Sequence, residues 1–346
     1  MVGSTRDREV KQDRLARVRT AAGGPLVLTS HEAVSWYLDG VRTHVSLAGP
    51  PVLAVRVEDA GDILFVAANE ADRQIAEELL PADAERIVRV PWQTPPAEAA
   101  LAAGPGIPES VVAAELRAAR ASLLPGERDR YRALGRDAAE VLTDVLSRAT
   151  PDDTEQSVAA SVAAGLVARG IDPLVILVAG VSRLAFRHPL PTGALLSERA
   201  MIVVCGRRHG LIANITRWVG ADAEDERILA VERAFLDASV PGRPLAEVFA
   251  AGTAGYAAHG FDADEWQRHH QGGPTGYAGR DPRATPATTD ALAEWQAFAW
   301  NPTAPGVKVE DTLLRTPEGW EVLTVDERWP TIVVDGLDRP VALPYA

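Results

Sequence analysis

Cysteine is almost absent from this sequence of 346 residues, in which Cys205 stands alone. A single cysteine excludes an intramolecular disulfide and the thiolate cluster of a structural zinc site. Long apolar runs are absent as well, because no stretch of the sequence approaches the roughly 18 residues of a transmembrane helix. The charged first residues also lack the apolar segment of a secretory signal. We therefore expect a cytoplasmic protein with no membrane partner.

The sequence also lacks a basic stripe and an internal repeat. Its 35 Lys and Arg residues face 48 Asp and Glu residues, for a net charge of −13, which repels nucleic acid and anionic lipid. No segment recurs at a period of about 20 to 50 residues, as a solenoid or a propeller would require. What the chain does have is 47% apolar residues. That content and length predict a soluble protein with two hydrophobic cores.

The first part of the chain alternates short apolar runs with helical ones. Residues 70–80 place apolar side chains at helical spacing, and residues 90–108 are rich in proline, alanine and glycine. A further helical region begins near Glu109. Three runs read as buried strands: 24–30, 51–57 and 61–68. This pattern predicts a small α/β domain over residues 1–125.

From residue 126 onward, helix pairs precede antiparallel strands. Asp153 or Thr154 is placed to cap the second helix and Gly170 to end it. The predicted helices are 127–149, 154–170, 223–239 and 245–260. The predicted strands are 174–180, 200–206, 210–220, 295–302, 309–316 and 320–324, with 200–206 and 210–220 forming a hairpin over the turn "RRH". The order of these elements predicts an α+β domain over residues 126–346.

Three stretches carry a resemblance to a known family: "EAVSWYLDGVR", "NEADRQIAEELL" and, near the end, "GVKVEDTLLRTPEGWEVLT". With the order of elements, they resemble the creatinase and aminopeptidase P family over nearly the whole chain. The resemblance implies a carboxyl-terminal pita-bread fold preceded by a smaller α/β domain of the creatinase type. It also implies a homodimer in which the amino-terminal domain of one subunit closes over the site of the other.

The resemblance also supplies a set of metal-ligand positions. The peptidases of this family hold two divalent ions with two aspartates, one histidine and two glutamates, because several anionic oxygens must offset the charge of the ions. The matching positions here are one of Val203, Val204 and Cys205, followed by Asn214, His270, Asn301 and Glu310. Four carboxylates are thereby reduced to one. We therefore expect no metal and no other cofactor, although a single zinc ion on Cys205, His270 and Glu310 stays open.

Creatinase shows that this fold can cleave a C–N bond without metal, using histidine as acid and base. The corresponding histidine matches His188 in "FRHPLP", with Glu310 as a partner to fix its tautomer. His270 keeps the position of a metal ligand in "HHQGGPTGY", and Tyr277 stands where the peptidases have a second catalytic histidine. A phenol there can donate a hydrogen bond to an oxyanion. The alternatives are a loop histidine that orders a proline turn, a core histidine satisfied by Asn301 or Glu310, and a packed tyrosine.

Five further residues are assigned to substrate binding: Asn214, Asn301, Cys205, His269 and Arg280. The two amides can donate hydrogen bonds that carboxylates could not. Cys205 is either a nucleophile beside the histidines or a buried filler of its strand. His269 braces its neighbour or faces away, and Arg280 either sets charge near the pocket or forms a structural ion pair with Asp281.

These residues lead to three functional hypotheses. The first is a metal-independent, creatinase-like enzyme that hydrolyses a C–N bond in a small polar substrate, such as one with an amidino or amide group, or eliminates or cyclises at that bond. The second is a catalytically inactive pita-bread module that binds a peptide or small ligand, with Trp218 or Trp300 filling the pocket. The third is an Xaa-Pro aminopeptidase or dipeptidase.

Overall fold

The computed structural model describes residues 5–221 and 226–345. The chain divides into two compact units, Met1–Arg130 and Tyr131–Ala346. The division lies inside helix α7, Pro125–Leu146, whereas the sequence placed the boundary after residue 125. In the described ranges, no helix combines the length and the apolar character needed to cross a membrane.

The first unit is built on a mixed sheet of five short strands in the order β4-β3-β2-β1-β5. β1–β2 and β2–β3 are antiparallel pairs, whereas β3–β4 and β1–β5 are parallel. The strands are β1 (Leu26–Leu28), β2 (Leu53–Glu58), β3 (Gly61–Ala67), β4 (Ile87–Val90) and β5 (Ile107–Pro108). The helices are α1 (Thr5–Ala22), α2 (His31–Tyr37), α3 (Ala71–Arg73), α4 (Pro81–Ala84), α5 (Pro96–Ala102) and α6 (Ala113–Ala121).

The elements predicted in this unit are present, but several others were missed. α3 continues as a π-helical turn, Gln74–Glu78, over the predicted helix 70–80, and a 3₁₀ turn, Glu109–Val112, precedes α6. The sequence did not predict α1, α2, α4, α5, β4 or β5. α5 lies in the segment 90–108, which was described only as rich in proline, alanine and glycine, although Pro96 stands in the first turn, where its missing N–H costs nothing.

The second unit begins with α7 and α8 (Glu155–Ala168) and continues into a three-stranded antiparallel sheet. Thr154 caps α8 as expected, because its side chain accepts a hydrogen bond from the Ser157 amide at 3.1 Å. The sheet consists of β6 (Asp172–Gly180), β7 (Arg199–Arg208) and β8 (Leu211–Gly220). The β7–β8 hairpin turns at His209 and Gly210 rather than over "RRH". Both residues have positive φ, +51° and +78°, the conformation of a two-residue type I′ turn.

The remaining elements form a helix pair and a second sheet. They are α9 (Glu226–Ala238), α10 (Leu245–Ala258), β9 (Gly272–Thr275), β10 (Ala297–Trp300), β11 (Thr303–Ala304), β12 (Val307–Lys308), β13 (Leu313–Thr316), β14 (Gly319–Val322), β15 (Thr331–Val334) and β16 (Leu337–Pro340). The sheet order is β14-β13-β10-β9. The start of the predicted helix 223–239 lies outside the described residues. Phe235 of α9 stacks on Trp300 of β10, with ring centroids 4.5 Å apart, so the two elements share one core.

A buried cluster of charges ties the last hairpin to the rest of this unit. The guanidinium of Arg339 donates to both carboxylate oxygens of Glu232, at 2.8 and 2.6 Å, and lies 3.1 Å from Asp311. Asp311 also pairs with Arg217 at 2.9 Å, and all four side chains are almost fully buried. Arg217 therefore has a structural partner. Asp311 follows Glu310 directly and lies just before β13. The cluster therefore holds the segment around Glu310 in place.

We predict that Arg339→Ala lowers the free energy of unfolding by about 3–5 kcal/mol, since removing one partner leaves buried carboxylates without compensation. The matched control is Arg328→Ala, whose side chain is 55% exposed and pairs with Asp326 and Asp144. That variant should lose less than about 1 kcal/mol. Urea unfolding of both variants measures the difference. Equal midpoints for the two variants would contradict the prediction.

Candidate functional site

The second unit contains a cavity of about 530 Å³. It combines an apolar wall with a polar one. Its lining residues are Leu174, Val175, Leu177, His188, Val203, Cys205, Ile212, Asn214, His270, Gly279, Arg280, Arg283, Asn301, Lys308 and Glu310. Seven of the nine site residues assigned from the sequence, His188 among them, therefore line this cavity.

The three-stranded sheet supplies the floor of the cavity through its alternation of side chains. Val203 and Cys205 of β7 both line it, and Val204 between them is completely buried away from it. Cys205 pairs directly with Asn214 across the β7–β8 ladder. Of the three residues that the resemblance matched to the first aspartate, Val203 and Cys205 therefore line the cavity and Val204 does not.

Arg280 links two of the positions that the resemblance matched to metal ligands. Its Nη1 donates to Asn214 Oδ1 at 3.0 Å, and its Nη2 donates to Glu310 Oε1 at 2.5 Å. Asn214 Nδ2 in turn donates to the Thr275 hydroxyl at 3.0 Å. The oxygen and the nitrogen of the Asn214 amide are each hydrogen-bonded in this way, and a guanidinium cation lies between the amide and the carboxylate.

Glu310 is held from both sides. Its backbone carbonyl accepts from the Thr216 amide of β8 at 2.8 Å, and its second carboxylate oxygen lies 3.5 Å from Lys308 Nζ. Burial raises the pKa of the Glu310 carboxyl, but the charges of Lys308 and Arg280 together lower it by more. The pKa of Glu310 is therefore below its usual value. Glu310 is therefore an anion that already has two cationic partners. Burial in turn lowers the pKa of Lys308, and Glu310 opposes that shift.

The two glycines after His270 fix the backbone that presents it. Gly272 and Gly273 have φ values of +85° and +128°, a region that other residues rarely adopt. A Cβ on Gly272 would lie 2.0 Å from the carbonyl oxygen of Ala299 on the neighbouring strand. The close approach of β9 to β10 therefore requires glycine in "HHQGG", and it places His270 at the cavity wall.

Three histidines form one cluster. His269 Nε2 lies 3.1 Å from His188 Nε2, and the ring of His270 stacks on that of His269 with centroids 4.4 Å apart. His269 is buried, whereas His188 is exposed on its loop. His269 therefore braces His270, as one of the two alternatives predicted, and it contacts His188 as well. The expected partner of His188, Glu310, instead bonds Arg280 and Lys308.

The cluster is held in its neutral form. Burial, followed by the charge of Lys308, lowers the pKa of His269 to about 2. Burial and the charges of Arg280, Arg283 and Lys308 lower that of His270 to about 3. Burial and Lys308 also lower the pKa of His188. All three imidazoles can accept a proton, but the cations around them make each a weaker base than an exposed histidine.

Asn301 and Tyr277 differ in how they relate to the cavity. Asn301 lines it, and its buried Oδ1 has no hydrogen-bond partner among the described residues. Tyr277 is 3% exposed and is not one of the lining residues. Its role as a donor to an oxyanion stays a prediction.

Arg283 is the cavity residue that sequence reasoning missed. It follows Arg280 by three positions in "GRDPR", and its charge reaches both His188 and His270. The signal was the pair of arginines in the loop 271–294, whose conformation has no periodic pattern from which it could be derived. With Arg283, the cavity holds three cationic side chains against the single carboxylate of Glu310.

The tryptophans proposed to fill the pocket do not line it. Trp300 is fully buried against Phe235 in the core. Trp218 Nε1 donates to the Lys308 carbonyl at 2.9 Å, and its ring packs with the cluster of Leu177, Met201 and Val203. Within the part of the chain that the structure describes, the cavity is bounded by smaller side chains.

Comparison with solved structures establishes the fold. A dipeptidase PepE from Mycobacterium ulcerans superposes with a TM-score of 0.76 at 18% identity, over 99% of this chain and 100% of that chain. A prolidase from Pyrococcus horikoshii OT3 gives 0.72 at 16%, over 94% and 99%. A variant of Escherichia coli aminopeptidase P gives 0.67 at 14%, over 92% and 95%.

These likenesses confirm the predicted architecture, an α+β chain with the pita-bread fold and a preceding α/β domain, over nearly its whole length. No family model and no curated protein matches the sequence. At these identities the comparison shows the fold alone.

The environment of Cys205 yields a test of its role. Burial, followed by the charge of Glu310, raises the pKa of its thiol to about 12. At pH 8 about one such thiol in ten thousand is ionised, and the thiolate is the reactive form. We predict that iodoacetamide alkylates Cys205 in the native protein at least about a thousandfold more slowly than in the same chain unfolded in urea. Mass spectrometry of timed samples measures both rates. Comparable rates would restore Cys205 as a candidate nucleophile.

Proposed function

We propose that this protein is a metal-independent enzyme of the creatinase type, which acts on a C–N bond of a small polar substrate through histidine acid–base catalysis. His188 and His270 move protons, and Asn214, Asn301 and Arg280 bind and orient the substrate. Hydrolysis is the proposed reaction, with elimination or cyclisation at the same bond as close variants. The observation that carries the proposal is the position of Arg280 between Asn214 and Glu310.

The donor set does not suit a pair of divalent metal ions. Asn214 gives its amide oxygen to Arg280, and Glu310 gives its two carboxylate oxygens to Arg280 and Lys308. The pairing of Glu310 with Arg280 and Lys308 also argues against the single-ion alternative on Cys205, His270 and Glu310. The guanidinium supplies positive charge at the place where the family's ions supply it.

The charge of the cavity narrows the substrate. Three cations against one carboxylate leave an excess of positive charge, which favours a substrate with an anionic group and disfavours a cationic amidino group. The apolar wall of Leu174, Val175 and Leu177 suits the uncharged part of such a molecule. Asn301 Oδ1 has no hydrogen-bond partner within the described ranges, so a substrate N–H or O–H that reached it would satisfy it. A small acid with an amide C–N bond combines these features.

An anionic substrate also explains how weak bases could work. Burial lowers the histidine pKa values in the free protein, and the charges of Lys308, Arg280 and Arg283 lower them further. A bound carboxylate offsets part of that charge, which brings the imidazoles nearer to neutral pH, where acid–base catalysis is most effective. The imidazoles would therefore become stronger bases when substrate is bound.

The low basicity of His270 also favours a second candidate, a pita-bread module that binds a small anion without turning it over. Saturable binding of substrate analogues without any product distinguishes this candidate. The third candidate, an Xaa-Pro peptidase, finds its support in the solved structures of similar fold. The homodimer and the cytoplasmic location stay predictions, and light scattering measures the first of them.

We predict that a panel of small acids with amide C–N bonds includes a substrate whose turnover is insensitive to EDTA. His270→Ala and His188→Ala should each lower kcat/KM by at least about a hundredfold, the range of a lost acid or base. Assays of released ammonia or amine measure this. His259→Ala is the control, because His259 lies outside the cavity described above.

Two outcomes would contradict the proposal. One is unchanged turnover in both histidine variants. The other is a purified protein with two stoichiometric divalent ions whose cleavage of Xaa-Pro peptides is lost on chelation.

A further inference from the structure

The histidine cluster brings together three imidazoles, although the proposed acid–base chemistry uses only two of them. One ligand atom from each of His188, His269 and His270 lies within 4.8 Å of the others. His188 and His270 line the cavity, and His269 lies behind them. In the described part of the chain, no other group of three or more histidine, cysteine or acidic side chains is close enough together to share one ion.

The spacing is near that of a metal site built from imidazoles. Zinc–nitrogen bonds of about 2.0–2.1 Å at tetrahedral angles place the ligand nitrogens about 3.3 Å apart. The Nε2 atoms of His188 and His269 are 3.1 Å apart. The ring centroids are 4.4, 4.8 and 5.8 Å apart. The ligand atoms lie within 4.8 Å of one another, so a shift of about 1.5 Å in one ring brings the most distant pair to that spacing. The exposed loop of His188 can make that shift.

Hydrogen bonding within the protein does not account for the cluster. The 3.1 Å contact uses one nitrogen of His188 and one of His269. The Nδ1 atoms of His269 and His270 are buried and have no hydrogen-bond partner among the described residues. Buried polar atoms normally have partners. Among the described residues, both rings can consequently turn toward a common ion without breaking a side-chain hydrogen bond to a residue outside the cluster.

We propose that His188, His269 and His270 form a binding site for one divalent transition-metal ion of the zinc, cobalt, nickel or copper type. Three imidazoles leave a fourth coordination position, and because two of the ligands line the cavity, that position faces it. This ligand set differs from the carboxylate-based set of the family peptidases in all but His270.

The surrounding charges determine which ions this site accepts. Lys308, Arg280 and Arg283 repel a cation, and Glu310 compensates only one of them. Magnesium and calcium require several anionic oxygens and are excluded. Imidazole suits zinc, copper and nickel, so these ions retain affinity through their bonds to nitrogen. An ion bound here takes the lone pairs of both proposed bases. It therefore inhibits the acid–base reaction rather than supporting it.

The test is a direct titration of the full-length chain without a histidine tag. Zinc is added in competition with a chromophoric chelator, and cobalt binding is followed by its visible absorption. We expect one ion per chain, and we expect His188→Ala to weaken binding by at least about tenfold. His188 is exposed, so this variant should fold. His269→Asn, checked by circular dichroism, is the second variant, and His259→Ala is the control that should bind as the parent protein does.

Zinc that fails to bind in competition with the chelator would overturn the proposal. So would an affinity that stays unchanged in both His188→Ala and His269→Asn, because the ion would then lie elsewhere. The titration requires no substrate, and its result is therefore independent of whether the proposed enzymatic activity exists.

Discussion

The salt bridge between Arg280 and Glu310 is the interaction on which the chemistry of the cavity depends. Glu310 is a fully buried carboxylate, and isolated buried charge is costly unless it is paired. Arg280 supplies the partner and in the same step takes up the amide oxygen of Asn214. With Lys308 and Arg283, Arg280 gives the cavity an excess of cations over the single carboxylate of Glu310. This excess of positive charge underlies the proposed substrate and the poor match to hard metal ions.

The same segment carries a second constraint. Glu310 and Asp311 are adjacent, and they face different partners: Glu310 pairs with Arg280 and Lys308, and Asp311 pairs with Arg217 and lies beside Arg339. Strong charge pairs on both sides of one backbone segment restrict its movement. The carboxylate in the cavity is therefore positioned by interactions that belong to the core, and a change of charge at the cavity does not by itself release the segment.

Periodic features of the sequence predicted most of the fold. The amphipathic helices α7 and α8, the Thr154 cap and the three strands β6 to β8 follow from spacing and local capping. The terminal hairpin β15–β16 was missed, although Asp335 and Gly336 form a turn dipeptide between apolar runs. α5 was missed because proline was read as a breaker in a position where it begins a helix.

The site was predictable only where a residue lies on a regular element. Alternation along β7 and β8 places Cys205 and Asn214 on one face, whereas Arg280 and Arg283 lie on a loop that no periodicity describes. The loss of carboxylates was visible in the sequence, but the gain of cations was not, because a nearby arginine can equally pair outside the cavity. The sequence therefore could not show that the guanidinium of Arg280 bonds both Asn214 and Glu310, which is the contact that gives the cavity its charge pattern.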